Sequence, residues 1–515
     1  MARTKNSIQN IIFALCLQGV NGIANFVIRT IMVQRLGMQA VSLNGLFTEV
    51  LAALSMAELG VGTAIVYNLY KPLAENDHKK VCQLMGLFKK AYRIIAVVTF
   101  VIGVALCPWI HYLVKSINYS TNYIRVVYLL FVADLSMSYL FSYKVSLMNA
   151  DQKSHIQSRI SMAIKPVEVI IKLAALIISN NFVVYLAFSI LVTFLGNVVR
   201  SYVVDKYYPW LGNNEDILPS EERKEVFSNI KNLFIKALSG KITNSTDNLL
   251  ISLLVNTLQV GYYSNYSLPI GVFRQLANQI AYGGVSASLG NLLVTESKEK
   301  CTKVFFRLQY LFFVVGALST VGVYCCITPF ILIWLKSDEF LLAQDIVFVC
   351  CLNLFIEVIN RPIWSIMEVS GLFKYDKYVS IAGSIVNLVV SIGLGIKLGM
   401  LGIFIGTFMT YLIQAILKTF LLFHMRLQTS PIKQYVLSAI MFGGVLIQMF
   451  VAKTVCSQLV FENPMMSFVV YAFIAVVIVG ISTTVCTFFS DAFQYYWKMV
   501  TNVVKCIFKG KRRNV

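Results

Sequence analysis

What most constrains this chain is a run-length pattern. Long apolar stretches, each near the width of a bilayer, recur from end to end with few charges inside them. A membrane-spanning helix needs about 20 mostly apolar residues, and a window of that length marks about fourteen candidate spans. They cover residues 8–34, 41–67, 90–114, 123–148, 156–178, 182–204 and 233–255. The rest are 260–294, 305–335, 343–369, 379–396, 401–424, 434–451 and 466–489.

Composition agrees. The 515 residues are 57% hydrophobic and 13% charged, with a mean hydropathy of +0.72. A soluble chain has about 45–50% apolar and about 25% charged residues, so a water-soluble globular enzyme is excluded. The longest polar stretch, 206–231, falls short of the about 50 residues of an independent domain. Met1 to Lys5 resembles the charged start of a signal peptide, but the apolar run continues past Leu36 without a small-residue cleavage site. It is expected to be a retained first span.

The net charge of +20 raises nucleic acid as a partner, yet its placement argues for a membrane surface. With the N-terminus inside, about 32 of the 44 Lys and Arg fall in cytoplasmic segments and about six in outer loops, as positive-inside topology requires. An even number of spans puts both termini in the cytoplasm. There the basic residues face the anionic inner leaflet, each worth about 1 kcal/mol. The tail from Lys505 to Arg513 is basic and amphipathic and is expected to lie on that surface. Cysteines such as Cys16, Cys107, Cys325-Cys326 and Cys350-Cys351 sit in apolar runs and act as small hydrophobes. No zinc-type spacing or disulfide framework is present.

A weak internal repeat divides the chain. Ile28 to Ser42 and Leu250 to Ser264 are both apolar runs with a closing Leu (Leu36, Leu258), a turn, and a Ser six residues on. Two halves of six spans followed by two extra spans is the natural division, and repeats of this kind place a substrate at their interface.

Ionisable residues inside spans cost at least about 2.5–3.5 kcal/mol, so they need a partner, water or a ligand. The embedded cations are Arg29, Lys165, Lys172, Lys241, Arg274 and Arg361, and the acids are Glu49, Glu58, Asp134, Glu168, Asp247 and Glu357. Glu357 and Arg361 are four apart and can pair on one helix. Lys165, Glu168 and Lys172 share a face, where one lysine is either paired locally or turned to a cavity. Arg29, Arg274 and Glu58 have no helical-turn partner, and Lys241 and Asp247 lie on different faces. For Arg29 and Arg274 a cavity-lining role and an inter-helix pair both stay open. Pro166, Pro269 and Pro362 fall mid-span, where proline removes a donor and kinks the helix.

Catalytic signatures are missing. There is no G-x-x-x-x-G-K-[ST] phosphate cradle, and the four histidines (His78, His111, His155, His424) form no constellation. No paired carboxylates occupy a sizeable outer loop, so a non-enzyme is expected.

Several motifs resemble bacterial Wzx-type polysaccharide-unit flippases of the multidrug/oligosaccharidyl-lipid/polysaccharide exporter superfamily. They are Arg3-Thr-Lys-Asn-Ser-Ile-Gln-Asn-Ile-Ile, Ile28-Arg29-Thr30 and Leu36-Gly37, with Ala57-Glu58-Leu59-Gly60-Val61-Gly62-Thr63-Ala64-Ile65 running to Tyr70-Lys71-Pro72-Leu73-Ala74. Asn244-Ser245-Thr246-Asp247-Asn248 and Val260-Gly261-Tyr262-Tyr263-Ser264-Asn265-Tyr266 belong with them.

The resemblance implies an all-α integral membrane protein of about 14 transmembrane helices. Two six-helix lobes would form a V around a central cavity, with two extra C-terminal helices. The corresponding segments are an N-terminal lobe 1–206, a cytoplasmic linker 207–231, a C-terminal lobe 232–426, two additional helices 427–490 and a basic tail 491–515. The implied activity is alternating-access flipping of an undecaprenyl-diphosphate-linked oligosaccharide across a bacterial plasma membrane. Arg29, Arg274, Lys241, Arg361 and Lys165 would hold the diphosphate, since cations bind it through charge-assisted hydrogen bonds. Glu58 and Asp247 would carry a coupling ion or brace helices. No cofactor or metal is implied beyond H+ or Na+ coupling. The expected partners are the bilayer, the lipid-linked glycan and the polymerase and glycosyltransferases of the same pathway, with no nucleic acid. The alternatives are a multidrug or cation antiporter of the same superfamily and, behind it, a membrane polysaccharide polymerase.

Overall fold

A computed structural model describes residues 2–58, 61–151, 153–211, 218–224, 226, 246–281, 293, 296–459, 461–499 and 501. The fold is all-α, with no strand among the described residues. In chain order the helices are α1 (Ala2–Leu54), α2 (Val61–Ala74), α3 (His78–Leu106), α4 (Thr121–Ala150), α5 (Ser154–Ser179), α6 (Phe182–Tyr207), α7 (Asp247–Leu250) and α8 (Thr257–Asn278). They continue with α9 (Lys298–Leu335), α10 (Gln344–Ile359), α11 (Arg361–Val369), α12 (Phe373–Leu398), α13 (Met400–Leu422), α14 (Ile432–Gln458) and α15 (Pro464–Thr487).

Nine described helices are long and apolar enough to cross a bilayer, or ten if the bent pair Gln344–Ile359 and Arg361–Glu368 counts as one span. The chain is a multi-pass membrane protein. The difference from the sequence expectation has identifiable causes. Most of the first two expected runs form the single helix α1, broken at Gly37, whose φ of 75° suits a residue without Cβ. Helix α5 carries Lys165, Glu168 and Lys172, too much charge for an apolar window. Residues 233–245 and 282–292 lie outside the described set.

The chain forms two compact units, residues 1–264 with 395–403 and residues 265–394 with 404–515. In the first, α2, α3, α4 and α6 enclose a core of Ile65, Leu69, Phe88, Tyr92, Tyr139, Leu147 and Val204. Side chains cap the helix starts: Asp77 accepts from Lys80 N at 2.9 Å and Asn181 from Val183 N at 2.9 Å. Lys144 ties α4 to α6 through Asp205 and Ser201.

Helices α1 and α8 meet in this unit through small residues. A Cβ on Gly261 would lie 2.1 Å from Ser42 Oγ, and one on Gly45 would lie 2.7 Å from Ser264 Oγ. Ser42 and Ser264 are the matching serines of the internal repeat; Ser42 sits against Gly261 of the second run, and Ser264 against Gly45, three residues past the end of the first. Without a hydrophobic drive between helices in lipid, such close packing supplies the attraction.

In the second unit Phe305, Leu308, Ile363, Ile366, Leu422 and Phe423 form a core. Polar side chains link its helices: Asn353 Nδ2 donates to Phe404 O at 3.0 Å, and Gln448 Nε2 to Ser482 Oγ at 2.8 Å. Gly406 approaches Ser391 so closely that a Cβ would lie 2.7 Å from its backbone N. After α15, residues 491–499 are helical and tied back to α9 by Asp491, which meets Lys303 at 3.1 Å and Arg307 at 2.8 Å. Hydrogen bonds from Arg307 and Lys303 pull the Asp491 carboxyl down to about 2.

Two outcomes follow. Gly261→Val should lower stability by about 1–3 kcal/mol through overpacking, and Ser42→Gly in the same chain should recover part of it, read as thermal midpoints in detergent. Because the folded Asp491 pKa lies below its ordinary 3.8, the tie is complete above about pH 4 and is lost as pH falls toward about 2. Acid-protease cleavage near residues 491–499 should rise across that window and should already be raised above it in Asp491→Asn. The pair is exposed, so global stability should barely change.

Candidate functional site

The site grows out of the break between α10 and α11. Pro362 stands in the first turn of α11, where its missing N–H would be unbonded anyway. The two helices bend by 40° there. Around the break, Gln309 Nε2 donates to Ile359 O at 3.0 Å and Asn360 Nδ2 to Ile356 O at 2.6 Å. Of the three mid-span prolines, Pro362 stands at the break, while Pro166 and Pro269 lie inside helices.

The break leaves Arg361 at a helix N-terminus, where the dipole disfavours a cation. Glu357, one turn back and 5% exposed, answers this by pairing with Arg361. The same carboxylate meets Arg274 Nε at 2.7 Å, as a close ionic contact without the alignment of a hydrogen bond. Arg274 is thus in an inter-helix pair, while 41% of its side chain stays accessible.

Trp364, one turn after Arg361, extends the cluster. The Arg361 guanidinium lies 4.8 Å from the centre of its ring and Lys418 Nζ 5.4 Å. Lys418 is paired with Asp376 at 2.8 Å. Arg361 and Lys418 thus lie against one indole, and the ion pairs link three cations to two carboxylates, an excess of one positive charge among these described residues. Two buried donors, Arg361 Nε and Trp364 Nε1, meet no acceptor among the described residues. A buried donor without an acceptor costs about 1–3 kcal/mol.

The other expected residues lie elsewhere. Arg29 is 7% exposed and donates through Nη2 to Gly261 O at 3.2 Å. Its guanidinium thus reaches a backbone carbonyl of α8. Lys165 and Lys172 both pair with Glu168, at 3.2 and 2.6 Å. Glu58 ends a 3-10 turn after α1 and accepts from Tyr92 Oη at 2.8 Å. Asp247 opens the short helix α7, and its neighbour Asn248 donates to Glu49 at 3.3 Å. Lys241 lies outside the described residues. Of the five candidate cations, Arg274 and Arg361 come together, while Arg29 and Lys165 sit in the other compact unit.

Sequence reasoning missed Trp364, Lys418 and Asp376. Trp364 was within reach, three residues after Arg361 on the same face. Asp376 and Lys418 are 42 residues apart on different helices, and nothing local marks them.

Neither a protein-family model nor a curated protein matches the chain. Solved structures do. The lipid II flippase MurJ, in an inward closed conformation, superposes with a TM-score of 0.66 at 15% identity, covering 90% of this chain and 98% of that one. An inward-facing multidrug resistance MATE family transporter of the MOP superfamily gives 0.63 at 14%, covering 82% and 98%. A MOP superfamily transporter from Pyrococcus furiosus gives 0.57 at 14%, covering 83% and 96%. The chain has the fold that these transporters share.

Removing the shared carboxylate tests the cluster. Glu357→Gln leaves two guanidiniums without their counter-charge and should cost about 3–5 kcal/mol. Adding Arg361→Met should return part of that loss, read as a double-mutant cycle in thermal unfolding.

Proposed function

We propose that this chain is a flippase that carries an undecaprenyl-diphosphate-linked oligosaccharide from the cytoplasmic to the outer leaflet of a bacterial plasma membrane by alternating access. The observation that carries the reading is the Arg274–Glu357–Arg361–Trp364–Lys418 cluster, with its excess positive charge and two buried donors lacking acceptors among the described residues. A diphosphate supplies both the negative charge and the acceptor oxygens, and Arg offers it a planar fork of donors. Arg274 is the accessible member and makes first contact, and Arg361 and Trp364 receive the anion behind it. The fold shared with a flippase of lipid II supports the same direction.

In this reading Arg29 and Lys165 brace the other compact unit. The lipid tail stays in the bilayer, and an H+ or Na+ gradient resets the cycle. The polymerase and glycosyltransferases of the pathway are its partners. The second reading is a multidrug or cation antiporter, favoured by the MATE structures of the same fold. A cationic drug, however, would meet a cluster whose own excess charge is positive.

The test is leaflet accessibility of a labelled undecaprenyl-diphosphate oligosaccharide in proteoliposomes under an imposed proton or sodium gradient. Wild type should move the label to the far leaflet. Arg274→Ala should weaken diphosphate binding about tenfold to a hundredfold, the worth of one or two charge-assisted hydrogen bonds, with the fold intact. Flipping that survives Arg274→Ala and Lys418→Met together overturns the site. Efflux of a cationic dye without any movement of lipid moves the antiporter to first place.

A further inference from the structure

The first compact unit contains a cavity of about 630 Å³, open at the surface and walled by α2, α3, α4, α5 and α6. Its size falls in the range of small-molecule sites, about 300–1,000 Å³. It would hold about 20 waters at about 30 Å³ each, far more room than one ion needs.

The polar lining is chiefly neutral. Ser142, Gln157, Ser161 and Asn197 offer hydroxyls and amides, with one carboxylate, Glu58, and one guanidinium, Arg200, at the edges. Phe141 adds an apolar ring face. Arg200 Nη1 donates to Asn197 Oδ1 at 2.9 Å, while Arg200 Nε and Gln157 Oε1 are buried and meet no partner among the described residues. The amides and hydroxyls of this wall can each donate and accept, and they suit a ligand that can do both. A divalent metal would want converging carboxylates, and no group of three His, Cys, Asp or Glu forms among the described residues. An apolar drug would strand the amides and hydroxyls. Sugar hydroxyls each donate and accept, and a sugar's C–H face suits an aromatic ring.

We propose that this cavity is a glycan subsite, binding uncharged sugar rings of a lipid-linked glycan. The inference rests on the flippase reading. The neighbouring Lys144, Lys153 and Lys206 put this end of the unit on the cytoplasmic side by positive-inside topology, the side on which such a lipid-linked glycan would be loaded. Gln157, Ser161, Asn197 and Arg200 would select for the glycan, and Glu58, held by Tyr92, would accept from a sugar hydroxyl.

The full-length protein is purified from the cells that make it, and co-purifying glycan-bearing lipid is quantified by mass spectrometry. The same preparations are titrated with undecaprenyl diphosphate carrying no sugar. Gln157→Leu removes an amide from the cavity wall, and Ser161→Trp fills the cavity from a different position, so either can decide the matter if the other fails to fold. The expected result is a loss of glycan-bearing lipid of at least about tenfold, with binding of sugar-free undecaprenyl diphosphate at the wild-type level. Wild-type retention of the glycan-bearing lipid in folded variants overturns the subsite, as does an equal loss of both ligands. If the wild type itself fails to bind undecaprenyl diphosphate, the flippase reading falls first and the subsite falls with it.

Discussion

In hydrocarbon no water is available to backbone N–H and C=O groups, so each must find its partner within the protein. Helix is the default answer, and every break in a helix needs a side chain or a neighbouring backbone to take up what it frees. The α10–α11 break shows how. Gln309 reaches the Ile359 carbonyl and Asn360 reaches that of Ile356, which lets Pro362 stand where a continuous helix would reject it. The break then sets the charge problem that organises the site: a cation at a helix N-terminus, answered by a carboxylate one turn back.

That carboxylate is also what brings Arg274 in. One Glu357 serves two guanidiniums, so the cluster is held together and remains short of negative charge. A fully paired cluster would be structural and inert toward anions. This one keeps an excess of one positive charge among its described residues, and part of the Arg274 side chain is accessible. In the other unit the charges are spent differently: Glu168 takes both Lys165 and Lys172, and Arg29 is fixed to the Gly261 carbonyl.

Local spacing was a good guide wherever partners share a helix. Glu357 with Arg361, and Glu168 with its two lysines, follow from i,i+3 and i,i+4 geometry alone. Spacing was silent on Arg274 with Glu357 and on Asp376 with Lys418, which are distant in the chain. The repeat was legible as two matching runs ending in Ser42 and Ser264, but not the fact that Ser42 sits against Gly261 and Ser264 against Gly45. Proline positions were legible too, while their effect was not. Pro166 and Pro269 stay within helices, and a break occurs at Gly37, a residue whose positive φ no propensity announces.

By itself the sequence determined that this is an all-helical membrane protein, because long apolar runs in lipid have no other way to satisfy their backbone. It also determined the local ion pairs, because helical geometry brings residues three and four apart into reach. Tertiary structure decided which of the isolated charges come together. That depends on contacts between helices far apart in the chain, which bring Arg29 to the Gly261 carbonyl and Arg274 and Arg361 to one shared carboxylate.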